Sequence, residues 1–435
     1  MTAPRLGASL VVPTAGGPIV GVAEPPGSKS LTQRWLMLAA LAEGTSVIEN
    51  ALRADDVEAL TAGLRTLGAR IHWSGPNELE VQGVAGRFPG GGRLDAREGG
   101  TPARFLMAAA TLAAKPCTLD GSPRLRRRPM ADGELLLTSL GCAVRRSGDE
   151  ALPLEIRPSG APPAGGRIRI SRPASSQFVS AIALIAPWLP SGVHLDCEGG
   201  SPSDAYVALT VQCLQHLGVD AAWDGASGTL RVGRGPLKAF RVRVEPDASS
   251  AAYAWALGAV VPGSRVAVRG LSPESLQPDL AVWRALQDLG AEGFVADGAT
   301  GIAHRRLHGP VELDASAWPD GSMAVMAAAA AGCEVTLRGL STLAGKESDR
   351  IQAMHAWLEA AGVDVRSGSD WITVHGPPSH RGAVRVETMR DHRVAMSAAV
   401  LGAARGGVEV LDPACVSKSW PDFWSEWARL LGHGG

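Results

Sequence analysis

Cysteine is sparse in this chain and carries no pattern. Cys117, Cys142, Cys197, Cys213, Cys333 and Cys415 are scattered over 435 residues, with no Cys-x-x-Cys pair and no histidine motif beside them. This excludes a zinc ribbon or disulfide framework and fits small core residues in a reducing compartment. The histidines show no helical metal spacing either. A surplus of one charge is also missing: 42 basic and 43 acidic residues leave a net charge of −1, so no global field draws nucleic acid or a membrane surface. The arginine-rich run Arg124–Arg128 has no aromatic platform and lies between Pro123 and Pro129, which reads as a turn. No apolar run reaches the roughly 18 residues of a membrane span. The opening Met-Thr-Ala-Pro-Arg-Leu lacks a charged segment followed by an apolar core, so no signal peptide is expected and the reading is a cytoplasmic chain.

What is present is a repeat. The apolar content of 45% is ordinary for a globular chain, and the length exceeds one hydrophobic core, so two or more domains are expected. Short β-branched strands follow turns at Val47, Cys117, Val193, Val266, Val335 and Val408, in steps of 70, 76, 73, 69 and 73 residues. Helix ends of the type Leu-Gly fall at Gly68, Gly141, Gly218, Gly290, Gly362 and Gly432, in steps of 73, 77, 72, 72 and 70. Two independent landmarks keeping one beat predict six units of about 72 residues. Each opens with an alanine-rich apolar helix, expected over 34–42, 103–114, 178–188, 251–261, 323–331 and 394–404. A strand, an amphipathic helix such as 57–67 or 280–289 with a glycine stop, and a further strand or hairpin complete the unit. The opening helices are apolar nearly all round and are read as buried.

Chemistry gathers where those helices begin. Pro26-Gly-Ser-Lys-Ser, with Arg34 following, sets a glycine turn, two hydroxyls and two cations at a helix start, where unpaired N–H groups already attract anions. It is not a Walker A loop, because the glycine four residues before the Gly-Lys pair is missing. The other starts are Glu98-Gly-Gly-Thr-Pro-Ala-Arg104, Ala174-Ser-Ser-Gln177, Asp247-Ala-Ser-Ser, Pro319-Asp-Gly-Ser322 and Arg390-Asp-His-Arg393. Ser, Asp and Gly suit N-caps in any protein. Lys29, Arg34, Gln177, His392 and Arg393 go beyond capping and fit a polyanionic ligand. Further charges lie in Arg124 and Arg128, Lys346-Glu-Ser-Asp-Arg350 and Lys418-Ser-Trp-Pro-Asp422.

Read in order, Pro26-Gly-Ser-Lys-Ser, Gly100-Thr101, Pro123-Arg124 with Arg128-Pro129, Ser175-Ser-Gln-Phe178, Pro319-Asp320, Lys346-Glu-Ser-Asp-Arg350, Asp391-His-Arg-x-Ala-Met396 and Asp412-Pro with Lys418 resemble the 5-enolpyruvylshikimate-3-phosphate synthase family. The resemblance covers nearly the whole chain. It implies an α/β enolpyruvyltransferase fold, an inside-out α/β barrel in two domains of three βαβαββ units each, with a cleft that closes on substrate. Residues 1–26 with 247–435 would form one domain and residues 27–246 the other. It implies an enzyme joining phosphoenolpyruvate to the 5-hydroxyl of shikimate 3-phosphate in aromatic amino acid biosynthesis, with no metal or organic cofactor, as a monomer and a glyphosate target. Carried over residue by residue, Lys29, Gly100, Arg124 and Gln177 would hold the phosphate of phosphoenolpyruvate, and Arg350, Arg393 and Lys418 its carboxylate. Ser30 and Arg34 would bind the shikimate carboxylate, and Ser175, Ser176 and Ser203, with Gln177 alongside, the 3-phosphate side. Asp320 and Lys346 would meet the reacting hydroxyl, Glu347 would serve C3 of the enol, and Lys29 and His392 complete the catalytic set. The reaction needs a carboxyl that donates and then accepts a proton, and a second group to take the hydroxyl proton. Arginine suits the carboxylates because it clamps planar anions bidentately.

Three positions depart from the family pattern. Thr342 stands where asparagine is usual, Ala344 where arginine is usual, and Glu98 replaces the asparagine of an Asn-Ala-Gly-Thr string. They leave a paralogue acting on a related hydroxylated ring acid as an alternative. UDP-N-acetylglucosamine enolpyruvyltransferase shares the fold, but its Gly-Ala-Lys-Asn start and mobile cysteine are not seen. A non-enzymatic binding module would have lost acid and base residues, whereas Asp320, Lys346, Glu347 and His392 are present. If Glu347 to Arg350 is helical, the two share a face. Gly100 is expected to leave room in the phosphoenolpyruvate pocket.

Overall fold

The structure, a computed structural model, describes residues 7–161 and 163–432; the opening hexapeptide, read above for a leader segment, lies outside the described residues. The chain divides into two compact units, Met1–Pro26 with Pro246–Gly435, and Gly27–Glu245. Pro246 groups with the discontinuous unit, beside Asp247, which caps that unit's first long helix by accepting Ser250 N–H at 2.8 Å.

One pattern builds the sheets of both units. In the continuous unit the central strands Thr45–Glu49, Cys117–Asp120 and Val193–Glu198 pair in parallel with Arg241–Arg243, Gly92–Asp95 and Gly166–Ser171. On their other edge each meets an antiparallel hairpin strand: Glu78–Gln82, Leu154–Arg157 or Thr229–Val232. In the discontinuous unit Arg265–Val268 and Glu334–Arg338 pair in parallel with Val20–Ala23 and Val311–Asp314, and antiparallel with Ala299–Ala303 and Ile372–His375. The last repeat differs. Val408–Leu411 pairs in parallel with Val384–Glu387, but its antiparallel neighbour is Ser9–Val11, so this sheet has three strands instead of four. After Val408–Leu411 the chain forms a 3-10 turn and the helix Phe423–Leu430, and the N-terminal strand takes the place of the hairpin.

A parallel pair needs a crossover, and in four of the six pairs the crossover is a buried helix: Gly100–Ala110, Ser176–Ile185, Ser322–Gly332 or His392–Arg405. Lys29–Leu41, Gly100–Ala110 and Ser176–Ile185 pack against one another inside the continuous unit, and Ala248–Val260, Ser322–Gly332 and His392–Arg405 inside the other. Each trio lies within its own hydrophobic core. Small side chains make the close approach possible: Ala327 to Ala330 are all fully buried. The six stop glycines all have left-handed φ, from 78° at Gly432 to 117° at Gly68, as the expected C-caps require. Five of the six cysteines are buried, Cys415 less so, and burial pushes the Cys213 thiol up to about 12.

Every opening helix starts earlier than its apolar stretch. The differences are smallest at Ser322, against an expected 323, and largest at Lys29, against an expected 34. Caps explain several of these starts. Ser28, Ser175, Asp247 and Asp391 each accept a backbone N–H from the first turn. Polar residues read as preceding the helices are therefore on their first turns.

Gly27 allows the first of these starts. A Cβ at this position would lie 1.8 Å from the Asn50 carbonyl oxygen. Asn50 is itself held left-handed (φ 52°) while its Nδ2 donates to Val244 O at 2.9 Å. Gly27→Ala is expected to destabilise the continuous unit by about 1–3 kcal/mol and to lower its melting temperature by roughly 5 °C. Gly17→Ala, where nothing lies within 4 Å of the added carbon, is the matched control in thermal unfolding.

Candidate active site

In the continuous unit the helix starts gather cations with few acids. Lys29 is the first residue of its helix, and its Nζ meets Asp56 Oδ2 at 3.0 Å. Ser30 is half-buried on the same turn, and its carbonyl accepts Arg34 Nη1–H at 2.8 Å. Arg34 is buried and also donates to Thr210 Oγ1 at 2.8 Å, Tyr206 O at 2.9 Å and Ser180 Oγ at 3.4 Å. In this structure Arg34 thus joins its helix to two others.

Gly100 opens the second helix. A Cβ there would come within 2.5 Å of Arg104 Nη1 and 2.6 Å of Arg128 Nη1, so two guanidiniums lie against one helix N-terminus. The expected room at Gly100 is bounded by these side chains. Arg104 donates to Gln177 Oε1 at 2.9 Å, and its guanidinium stands 4.8 Å from the Phe178 ring centre. Burial, followed by the positive charge of Arg128, brings the Arg104 guanidinium down to about 9. An anion at this helix start would relieve the second of these effects. Ser175 caps the third helix through Gln177 N–H, Ser176 follows it, and Ser203 sits in a left-handed turn (φ 51°). Arg124 is exposed on the short helix Pro123–Arg126.

The discontinuous unit is arranged differently: acids and bases interlock around one guanidinium. Arg350 is 1% exposed and donates to Asp320 Oδ1 at 2.7 Å, Glu347 Oε2 at 2.8 Å, and Asp391 Oδ2 and Oδ1 at 2.8 and 3.2 Å. Burial works against its charge, but Asp391, Glu347 and Asp320 overcome it and raise the pKa. Around this centre Lys346 Nζ meets Asp320 Oδ1 at 3.2 Å, Arg393 Nη2 meets Asp320 Oδ2 at 3.5 Å, and Lys418 Nζ meets Glu347 Oε1 at 3.0 Å. Burial would push the Asp320 carboxyl up, yet Lys346, Arg393 and Arg350 hold it well below the usual range. His392 opens its helix fully buried, with Nδ1 3.7 Å from Asp391 Oδ1.

The Glu347–Arg350 contact forms, but not along a helix. The helix begins at Arg350, while residues 346–349 are irregular, so the arginine reaches back to Glu347 from the first turn. Within this unit Asp320, Lys346, Glu347, Arg350, Arg393 and Lys418 come together. In the other unit Gly100 and Gln177 meet through Arg104, which was not among the candidate residues. Arg128 and Asp391 were also missed as site members. Arg104 lies four residues after Gly100 on one helix face, and Asp391 is the cap of a helix whose next residues are His-Arg, so spacing held a signal for both. Asp56 had none beyond being acidic.

The family model for EPSP synthase (3-phosphoshikimate 1-carboxyvinyltransferase) matches residues 13–427. A 3-phosphoshikimate 1-carboxyvinyltransferase of Methanoculleus marisnigri is 39% identical over 427 residues, which cover 96% of this chain and 98% of the relative. One from Shewanella denitrificans is 35% identical, covering 93% and 95%. Among solved structures, an EPSP synthase from Acinetobacter baumannii superposes with a TM-score of 0.78 at 24% identity, over 98% of both chains. The enolpyruvyl transferase NikO from Streptomyces tendae does so with a TM-score of 0.72 at 18% identity, over 97% of both. These two share the enolpyruvyltransferase fold. By the match along residues 13–427 and by relatives at this identity and coverage, the chain belongs to the EPSP synthase family.

Proposed function

We propose that this protein is a 3-phosphoshikimate 1-carboxyvinyltransferase, which transfers the enolpyruvyl group of phosphoenolpyruvate to the 5-hydroxyl of shikimate 3-phosphate and releases phosphate. The observation that carries the reading is the joining of Asp320, Lys346, Glu347, Arg350 and Lys418 by contacts of 2.7 to 3.2 Å. A base, an acid and cations suited to planar anions stand in one network. The two compact units are taken as the two domains, each with three repeats. The protein is read as a cytoplasmic monomer, and near-balanced charge supports small-molecule partners over nucleic acid or membrane. Among the described residues no helix is long and apolar enough to cross a membrane.

In the proposed chemistry the 5-hydroxyl oxygen attacks C2 of phosphoenolpyruvate and its proton passes to Asp320. Glu347 delivers a proton to C3 and is left as the carboxylate, with the Lys418 ammonium 3.0 Å away. The intermediate then loses a C3 proton to Glu347 as the bond from C2 to the phosphate oxygen breaks, and phosphate leaves with the bonding electrons and takes up the proton held by Asp320. The steps balance without a cofactor. At rest Asp320 is a weak base because Lys346, Arg393 and Arg350 compensate its charge. When Lys346 and Arg393 turn to bound anions, Asp320 loses part of that compensation and gains basicity. Arg393, Lys418 and Arg350 provide for the phosphoenolpyruvate carboxylate, and Lys29, Gly100, Arg124 and Gln177 for its phosphate. Ser30, Arg34, Ser175, Ser176 and Ser203 provide for shikimate 3-phosphate. His392 serves as a proton-holding group beside Asp391.

Phosphate release from phosphoenolpyruvate is expected with shikimate 3-phosphate and not with shikimate alone or UDP-N-acetylglucosamine; the reverse order of acceptors would defeat the reading. Glu347→Gln keeps the shape and removes the transferable proton, so turnover should fall by about 10²-fold or more with near-normal substrate binding. Arg350→Ala should behave differently. It strands the buried Asp391 carboxylate, so a loss of about 3–5 kcal/mol in urea unfolding is expected alongside weaker phosphoenolpyruvate binding. Gly100→Ala pushes a methyl group into the Arg104 and Arg128 guanidiniums. It should raise the glyphosate inhibition constant more than the KM for phosphoenolpyruvate; inhibition that is unchanged in steady-state assays would remove Gly100 from the site.

A further inference from the structure

Behind Asp320 lies a carboxyl group that the proposed chemistry leaves unused. Asp279, in the 3-10 turn Pro278–Leu280, is 1% exposed. Its Oδ1 accepts the N–H of Gly321 at 3.2 Å, one residue beyond Asp320, and its Oδ2 accepts the Ser249 hydroxyl. The same turn has a second tie to that helix start: Gln277 Oε1 accepts Ala248 N–H at 3.1 Å, and Gln277 Nε2 donates to Pro246 O at 2.7 Å. The Ser249 carbonyl in turn accepts Arg393 Nη1–H at 3.4 Å, and Arg393 Nη2 reaches Asp320 Oδ2 at 3.5 Å. Asp279, Ser249, Arg393 and the Asp320–Gly321 peptide thus close a ring.

Residue 321 has to be small for the ring to close. A Cβ on Gly321 would lie 2.5 Å from Val282 Cγ2 and 3.2 Å from Asp279 Oδ1. The groups facing Asp279 are Asp320 and Asp247, both acidic, and the Arg393 cation, with Ser249 as hydrogen-bond donor. Burial, then the negative charge of Asp320, raises the Asp279 carboxyl to about 6.

We propose that Asp279 is a positioning residue for the reaction: its buried carboxyl fixes the Asp320–Gly321 peptide against the Ser249–Arg393 pair and sets a second acidic group behind the base. The proposal rests on the reading of Asp320 as that base. The sign follows from the charges. As pH rises through about 6, Asp279 becomes negative and makes Asp320 hold a proton more strongly, hence a better base.

The test compares Asp279→Ala, Asp279→Asn and Gly321→Ala with wild type in phosphate release across pH 5 to 9. Asp279→Ala removes both acceptors and should lower kcat by about 10²-fold, the worth of a displaced catalytic group, with a smaller change in KM for shikimate 3-phosphate. Asp279→Asn keeps the contacts, because the amide oxygen accepts Gly321 N–H and the Ser249 hydroxyl turns to accept from the amide nitrogen. It should stay within about tenfold of wild type and lose the ionisation near pH 6 from the rate profile. Gly321→Ala should resemble Asp279→Ala. A wild-type rate profile and kcat in Asp279→Asn, with only a lowered melting temperature in Asp279→Ala, would overturn the proposal. Carbon-13 carboxyl NMR of aspartate-labelled protein gives a readout independent of turnover. The Asp320 signal should shift with the Asp279 titration in wild type and not in Asp279→Asn; no such shift in wild type would also overturn it. Wild-type protein that releases no phosphate yet shows that coupling would sink the functional reading and leave the Asp279–Asp320 coupling standing.

Discussion

A guanidinium taken out of water must be compensated, and the discontinuous unit is organised around meeting that requirement at Arg350. Three carboxylates from three segments converge on it: Asp320 before one buried helix, Glu347 in an irregular loop, and Asp391 as the cap of another helix. Desolvation makes every member of such a cluster expensive to misplace, because an unpaired buried charge costs far more than a paired one gains. The cluster therefore fixes geometry. Lys346 shares Asp320 Oδ1 with Arg350, while Arg393 and Lys418 take the other oxygens of Asp320 and Glu347, at contacts of 3.0 to 3.5 Å, longer than most Arg350 contacts. The inner pairs hold the network, and Lys346 is the most exposed of its cations.

The continuous unit solves the opposite problem. It brings cations together at a helix start. Lys29 has Asp56 as a partner, while Arg104 and Arg128 both press against Gly100, and burial, followed by the charge of Arg128, pulls Arg104 down to about 9. One unit interlocks carboxylates with cations, and the other sets two guanidiniums against a helix start. The same repeat underlies both: a parallel pair of strands joined by a buried helix, with the helix start exposed to the chemistry.

Repetition explains how one scaffold hosts both tasks. Beyond their first turns the helices Ala248–Val260 and Ser322–Gly332 are packed mainly through small and apolar residues, so most of their polar groups fall on the first turns. N-terminal N–H groups and the helix dipole favour anions at all six starts. What differs is the side chain placed there: a lysine, a glycine flanked by arginines, a glutamine, or the Asp-His-Arg of residues 391–393. Departures from the family pattern sit at the margins. Thr342 and Ala344 lie in the 3-10 turn before Lys346, and Glu98 is exposed ahead of Gly100.

The repeat period, the strand and glycine landmarks, the capped helix starts and the family motifs were all legible in the sequence, because each is a short-range signal. Periodicity, turn chemistry and local strings of residues need no knowledge of distant neighbours. Helix boundaries were less legible, since caps such as Ser28 and Asp391 extend the helices beyond the apolar stretch. The sharing of one arginine among Asp320, Glu347 and Asp391, the crowding of Arg104 and Arg128 at Gly100, and the placing of Asp279 behind Asp320 were decided only by tertiary structure. Asp320 and Asp391 are 30 and 41 residues from Arg350 along the chain, and Asp279 is 42 from Gly321. Packing of parallel crossovers brings such partners within hydrogen-bond reach, and burial then turns proximity into strong electrostatic coupling, a property no local stretch of sequence contains.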